Sequence, residues 1–207
     1  MKRILATALL LCGIYAASSA QGVTILEQFY SKMAENAAVM DYDYSLTMSG
    51  VKTTGEGILT TQDQSYVMQG SGIRIYCDAK MMWVVDEAGK EILIDSVAEG
   101  QEAYMANPVL LFTDLFKVFQ VGSPEISGNI ISYVLTPKSD CGIVSGVISL
   151  NTAGKSPVFS SGVFKTADGS QLDVKIKSMT FVQKKPLTFY TLDLSGFDSS
   201  WMITDIR

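Results

Sequence analysis

From Met40 to Ser49 apolar and polar side chains alternate, with Met40, Tyr42, Tyr44, Leu46 and Met48 set against Asp41, Asp43, Ser45, Thr47 and Ser49. A period of two puts one set on each side of an extended chain, so the pattern predicts a strand with one apolar and one wet face. Four further strand-like runs follow as far as Asp95, with breaks expected at Gly55-Glu56-Gly57, Gln62-Asp63-Gln64, Gly70-Ser71-Gly72 and Glu87-Ala88-Gly89. Together they read as an antiparallel meander. Its inner face is expected to carry Tyr44, Leu46, Met48, Ile73, Ile75 and Trp83.

The period changes on either side of this meander. Over Val23 to Ala38 the residues Leu26, Tyr30, Met33 and Ala37, widened by Phe29, recur at three and four residue steps, which predicts a helix with a covering stripe. Val97 to Ala106 is polar and reads as a loop or a short helical turn. Asn107-Pro108 then opens a second helix over Val109 to Phe119, with proline in the first turn where its missing N–H costs nothing. Only Thr113, Asp114 and Lys117 interrupt that helix's apolar surface, so it must be buried on more than one side.

A second β region is expected at Ile130–Thr136, Ile143–Asn151, Val158–Thr166 and Gln171–Phe181, the last two joined through Ala167-Asp168-Gly169-Ser170. Leu187–Leu194 reads as a last long strand, and Trp201 to Ile206 as an added edge. A total of about ten strands can curl into one antiparallel barrel or half-barrel plugged by two helices. No internal repeat or shift in composition divides the chain, so a single domain is expected.

Residues 1–20 stand apart from that domain. Met1-Lys2-Arg3 is a short basic start, Ile4 to Ala17 an apolar run, and Ser18-Ser19-Ala20 supplies small residues before a cut after Ala20. These are the parts of a secretory signal peptide, and the run is shorter than the roughly 20 residues a membrane anchor needs. Cys12 follows Leu9-Leu10-Leu11, without the small residue that a lipid-carrying cysteine requires before it. Removing Lys2 and Arg3 from the 16 basic residues leaves 14 against 21 acidic ones, a net charge of −7, which argues against nucleic acid or an anionic membrane as the main partner. Cys77 and Cys141 remain after cleavage, either joined in a disulfide or buried as free thiols.

There is no histidine in the chain. That removes the usual general base, the Ser-His and Cys-His arrangements and the commonest zinc ligand. Two separated cysteines make no metal pattern, and neither a dinucleotide nor a phosphate loop occurs. Asp41 and Asp43 share a strand face, as a carboxylate pair for acid and base work would, but it is the face opposite the apolar residues. Binding is therefore expected in place of catalysis, with no cofactor and no metal. A sheet face rich in Met and aromatic residues, closed by a helix of Leu and Phe, suits flexible apolar guests, although each position alone also fits an ordinary core. The candidate lining is Phe29, Met33, Tyr44, Leu46, Met48, Ile73, Ile75, Trp83, Leu111, Phe112, Leu115 and Phe116.

Several segments in this order resemble the LolA family of periplasmic outer-membrane lipoprotein carriers, over nearly all of residues 21–207. They are Gly55-Glu56-Gly57-Ile58-Leu59, Asp78-Ala79-Lys80-Met81-Met82-Trp83, Asn107-Pro108-Val109-Leu110-Leu111 and Val134-Leu135-Thr136-Pro137-Lys138. The resemblance implies a mainly β fold, an unclosed antiparallel barrel whose concave apolar face is covered by helices. It implies a monomeric carrier in the periplasm that takes acylated lipoproteins from an inner-membrane ABC release complex to an outer-membrane receptor, without cofactor or ATP. Related folds also serve as outer-membrane receptors and lipid-sensing regulators, so a lipid-sensing or protein-interaction module is the alternative. One departure stands out: the family's lid-pinning arginine would fall within Thr60-Thr61-Gln62-Asp63-Gln64, where there is none, and Arg74 is either its substitute or a surface residue.

Overall fold

The computed structural model describes residues 24–97 and 109–207. The expected leader with its cut after Ala20, the start of the domain at residue 21, the first residue of the first helix, nearly all of the Val97–Ala106 stretch and the Asn107-Pro108 helix start lie outside the described residues. Helix α1 covers 24–35 and buries Leu26, Phe29 and Met33, the expected stripe. It ends where the Asn36 backbone N–H and side-chain amide both donate to the Lys32 carbonyl. Ala37 and Ala38 are already strand: both are fully buried and pair with Val182 and Phe181, so sheet pairing overrides the helical propensity of alanine.

The strands are β1 (Ala37–Met48), β2 (Val51–Gln62), β3 (Ser65–Gly70), β4 (Ile73–Cys77), β5 (Met81–Asp86) and β6 (Glu91–Ser96), followed after two short helices by β7 (Phe119–Val121), β8 (Glu125–Ser127), β9 (Ile130–Pro137), β10 (Ile143–Asn151), β11 (Val158–Thr166), β12 (Gln171–Val182) and β13 (Met202–Asp205). They form one 13-stranded sheet in the order β13-β6-β5-β4-β3-β2-β1-β12-β11-β10-β9-β7, with β8 also on β9. Two meanders are thus joined where β1 lies antiparallel to β12. Because β7 and β13 do not pair with each other, the sheet curls without closing, the mainly β, unclosed architecture expected from the sequence.

Three expectations need correction. Gly55-Glu56-Gly57 lies inside β2; the first hairpin turns at Ser49-Gly50, whose φ values of 50° and 79° suit a two-residue connection between twisted strands. The second helix is two single turns, α2 (Leu110–Thr113) and α3 (Leu115–Val118), because Asp114 leaves helical geometry at φ −115° and ψ 9°, and Phe119 is already extended in β7. Leu187–Leu194 is not a strand but begins as a 3₁₀ turn, Leu187–Tyr190. The edges of β12 are occupied by β1 and β11, so the chain that follows finds no free neighbour. It crosses to the far side of the sheet until β13 adds itself, parallel, to β6.

That crossing explains Trp83. Tyr76 pairs with Trp83 and Ile75 with Val84, so Trp83 stands on the face opposite Ile73 and Ile75. There it joins Val85, Ile92 and Ile94 in a separate cluster covered by Leu192, Leu194, Phe197 and Trp201. The main core, around Phe29, Tyr66, Tyr133 and Leu135, occupies the concave side.

Three buried phenols tie the folded state to pH. Burial holds Tyr66 above the ordinary tyrosine value and pushes Tyr133 and Tyr190 up to about 12. A phenol whose folded pKa exceeds its unfolded value of 10.0 contributes stability that is whole below pH 10 and declines as pH rises toward 12. Alkaline titration should therefore unfold the chain cooperatively, with phenolate absorbance rising in the same transition that removes the β-sheet circular dichroism; phenolate formation that is complete before the sheet melts would contradict it.

Candidate functional site

Between the concave face and the helices lies a cavity of about 390 Å³. The sheet supplies Met40, Tyr42 and Tyr44 from β1 and Leu172, Val174 and Ile176 from β12, in both cases at alternate positions of one strand. Leu59, Met68, Ile73, Ile75, Ile148, Phe159 and Phe164 extend the wall, and Phe29, Tyr30, Leu111, Phe112 and Leu115 close it from the helical side. Glu56 and Ser71 also border it, the Glu56 carboxylate itself being held by Lys177 on the outer face. A volume within the roughly 300–1,000 Å³ of small-molecule sites, with walls almost wholly of carbon, favours an apolar guest.

Two glycines shape the sheet side of this hollow. Gly55 pairs with Tyr44 and Gly57 with Tyr42. A Cβ at Gly55 would stand 2.7 Å from the Tyr44 hydroxyl, and one at Gly57 2.7 Å from the Tyr42 hydroxyl. Each tyrosine ring thus lies over the bare backbone of its partner. The motif singled out in the sequence has a mechanism here: it makes room for the aromatic wall.

Among the described residues, three hydrogen bonds fasten the lid. The Tyr30 hydroxyl donates to the Leu111 carbonyl at 3.0 Å, joining α1 to α2. At the far end the Lys138 ammonium donates to the Phe116 carbonyl at 2.6 Å, and the Lys138 backbone N–H donates to the Val118 carbonyl at 2.8 Å. Arg74 lies away from all three, on the sheet's outer face, where it pairs with Glu87 at 2.7 Å and donates to the Tyr76 hydroxyl. It does not stand in for a lid arginine; the tie between α1 and α2 comes from Tyr30. Burial also raises the Tyr30 phenol above its ordinary range, so it stays a donor across the working pH range. Tyr30→Phe should loosen the lid by about 1 kcal/mol, seen as roughly fivefold faster amide exchange in residues 110–118. Unchanged exchange would show that the Tyr30 hydrogen bond does not hold the lid.

Of the twelve lining candidates, the structure brings Phe29, Tyr44, Ile73, Ile75, Leu111, Phe112 and Leu115 together on the cavity wall. The other five stand elsewhere. Met33 packs in the core one turn beyond Phe29, and Trp83 is on the opposite face. Leu46 and Met48 lie on the Tyr44 side of β1 but beyond the covered part, with Met48 52 % exposed at the hairpin tip. Phe116 turns away from the cavity, stacks on Tyr30 at 5.1 Å and is 46 % exposed. The β12 wall was legible as the alternation Leu172, Val174, Ile176, whereas nothing in the sequence marks which face Ile148, Phe159 and Phe164 take.

Phe116 instead lines a second hollow of about 440 Å³, with Leu26, Phe119 and Tyr133 on its apolar walls and Glu27 and Lys138 among its polar ones. On the outer face of β1, Lys177 gathers Asp41 at 3.0 Å, Asp43 at 3.2 Å and Glu56 at 2.8 Å. Lys177 is the extra residue of a bulge opposite Asp41 and Tyr42. The two aspartates are thus partners of one lysine and lie across the sheet from the cavity. Cys77 and Cys141 are free and buried, the second of the two states open to them. Among the described residues no group of His, Cys, Asp and Glu is placed to hold a metal ion, and no helix is long and apolar enough to cross a membrane.

No protein-family model matches the sequence, and neither does any curated protein. Solved structures do match in fold. An uncharacterized conserved protein from Thermus thermophilus aligns at a TM-score of 0.54 and 10% identity, over 91% of this chain and 99% of that one. A DUF1329 family protein from Desulfovibrio piger aligns at 0.50 and 10% identity, over 87% and 99%. A LolA superfamily protein from Nitrosomonas europaea aligns at 0.45 and 10% identity, over 83% and 97%. At such identities the likeness is one of fold.

Proposed function

We propose that this chain is a periplasmic, LolA-like carrier that shields the acyl chains of lipoproteins in its concave cavity while they pass from the inner to the outer membrane. The observation that supports it most is the carbon-walled hollow of about 390 Å³ between the sheet and a hydrogen-bonded lid. An acyl chain gains about 0.8 kcal/mol for each CH₂ group taken out of water. Binding of this kind needs no cofactor, metal or turnover, in keeping with a chain that has no histidine. On this reading the leader of residues 1–20 delivers the protein across the inner membrane, and its partners are an ABC release complex there and a receptor at the outer membrane.

Mass spectrometry of the protein purified with and without a co-expressed lipoprotein tests the proposal. Acylated cargo should accompany it one to one, and Asp43→Asn, on the outer face, should carry as much. A protein that leaves the cell free of every lipid and lipoprotein would be no carrier. Crosslinking in the periplasm to one protein that carries no lipid would favour a sensing or interaction module on the same fold.

A further inference from the structure

We infer that the free edge of β13 pairs weakly with the β13 edge of a second copy of this chain, antiparallel and with a two-fold axis at Thr204. The inference goes beyond the lipid reading and does not depend on what the cavity holds. The Met202 backbone N–H donates to the Lys90 carbonyl at 2.9 Å and the Ile206 N–H to the Ile94 carbonyl at 3.0 Å, so Met202, Thr204 and Ile206 turn their backbone groups toward β6. Those of Ile203 and Asp205 therefore point the other way, where no strand of the described residues lies. Open edges are ordinarily blunted by lysine, proline or a bulge, and Met202–Asp205, exposed throughout, has none of these. The sheet's other end differs: Phe119 in β7 is 1 % exposed and gives its N–H to the Leu115 carbonyl.

The edge is its own complement, which is what selects a second copy as the occupant. In an antiparallel pair, residues whose groups face each other exchange both hydrogen bonds. With Ile203 opposite Asp205 of the second copy, and Asp205 opposite its Ile203, every outward N–H and carbonyl of both finds a free partner. Other registers fail on groups already in use or on charge. Setting Ile203 opposite Ile203 sends Asp205 to Trp201, whose N–H is given to the Asp198 carbonyl. Setting Asp205 opposite Asp205 brings like charges face to face and sends Ile203 to Arg207, whose N–H is given to the Asp205 carboxylate. Sliding Asp205 opposite Arg207 calls on that same N–H and leaves Ile203 without a neighbour. The fitting register also sets Met202 against Ile206 of the second copy, covering two side chains that are 56 % and 55 % exposed. One strand against one strand falls well short of the roughly 1,200 Å² of a stable interface, so the pairing is transient, with half of the chains paired near about 100 μM.

Oxidative crosslinking tests the geometry and sedimentation equilibrium the strength. Directly opposite residues of a non-hydrogen-bonded pair have Cβ atoms about 4.5 Å apart, within disulfide reach, so Thr204→Cys should oxidise to a covalent dimer. Met202→Cys is as exposed but lies four positions from its own copy in this register, and should stay monomeric. The native Cys77 and Cys141 are buried and give the background in both. In sedimentation, Ile203→Pro removes one outward N–H and leaves the bonds to β6 in place; it should raise the midpoint about tenfold or more. Ile206→Lys, at an exposed position, should raise it about fivefold and reads the same contact if Ile203→Pro does not fold. A protein that stays monomeric to about 1 mM, with no Thr204→Cys dimer, would overturn the inference. So would a dimer that neither folded variant weakens, or one that Met202→Cys traps as readily. The same oxidation in cells decides the occupant: a Thr204→Cys crosslink to a different protein, with none between copies, would assign the edge to a foreign strand instead.

Discussion

Gly70→Val should cost more stability than any other single glycine change at the cavity rim. A Cβ on Gly70 would collide with the Glu56 carbonyl and lie 3.1 Å from the Gly57 Cα, so both obstacles are backbone. Neither can swing aside as a flexible side chain would. At this point β3 passes the bare glycine backbone of β2, and the Tyr42 ring takes the space on the cavity side that side chains would otherwise fill. Overpacking of this kind costs about 3 kcal/mol or more, roughly 6–12 °C of melting temperature in a domain of this size. Gly154→Ala is the control: its new Cβ would meet the Ser156 carbonyl oxygen at an ordinary 3.7 Å, and its melting temperature should stay within about 2 °C. Calorimetric melting of both variants decides the matter. Equal melting temperatures would mean that the strands part easily there and that the glycines do not shape the cavity.

The same glycines mark the boundary of what the sequence conveys. The alternation of Met40 to Met48, and the runs at Ile130, Ile143, Val158 and Gln171, predict strands whose bounds differ from the observed ones by a few residues at most. Period-two patterning survives folding because each strand buries one face. Gly55-Glu56-Gly57 misleads, since glycine is a turn former by propensity and here serves the Tyr42 and Tyr44 rings through a cross-strand pairing that local pattern does not display. Leu187–Leu194 misleads for a topological reason, because a strand needs a free neighbour and β12 is flanked on both sides. Trp83 misleads by one residue of register, the shift that moves a side chain to the opposite face. The helical lid and the β1 wall were thus readable from local pattern, and the β10 and β11 walls were not, because which side of those strands faces the hollow is set by long-range pairing.

Leu111→Glu should abolish acyl-chain binding, whereas Leu46→Glu should leave it within about twofold. Pattern alone makes the two leucines equivalent candidates; the structure separates them. Leu111 is 8 % exposed, forms part of the cavity wall and offers its carbonyl to Tyr30. A carboxylate there either sits unpaired against the guest or drags α2 outward, and both outcomes forfeit the apolar contact that drives binding. Leu46 lies half-buried beyond the covered part of β1, beside its strand partner Leu172 but not itself in that wall. Leu111→Ala completes the set: it keeps the wall uncharged and should weaken binding by roughly tenfold, in line with the apolar area lost. Titration with a fluorescent fatty-acid analogue reads all three variants, and circular dichroism verifies that each is folded. A folded Leu111→Glu protein that still binds like the wild type would place the lipid somewhere other than between sheet and lid. If Leu46→Glu loses binding while folded, the guest must extend along the open end of β1 past Tyr44, and the cavity is then only the inner part of a longer groove.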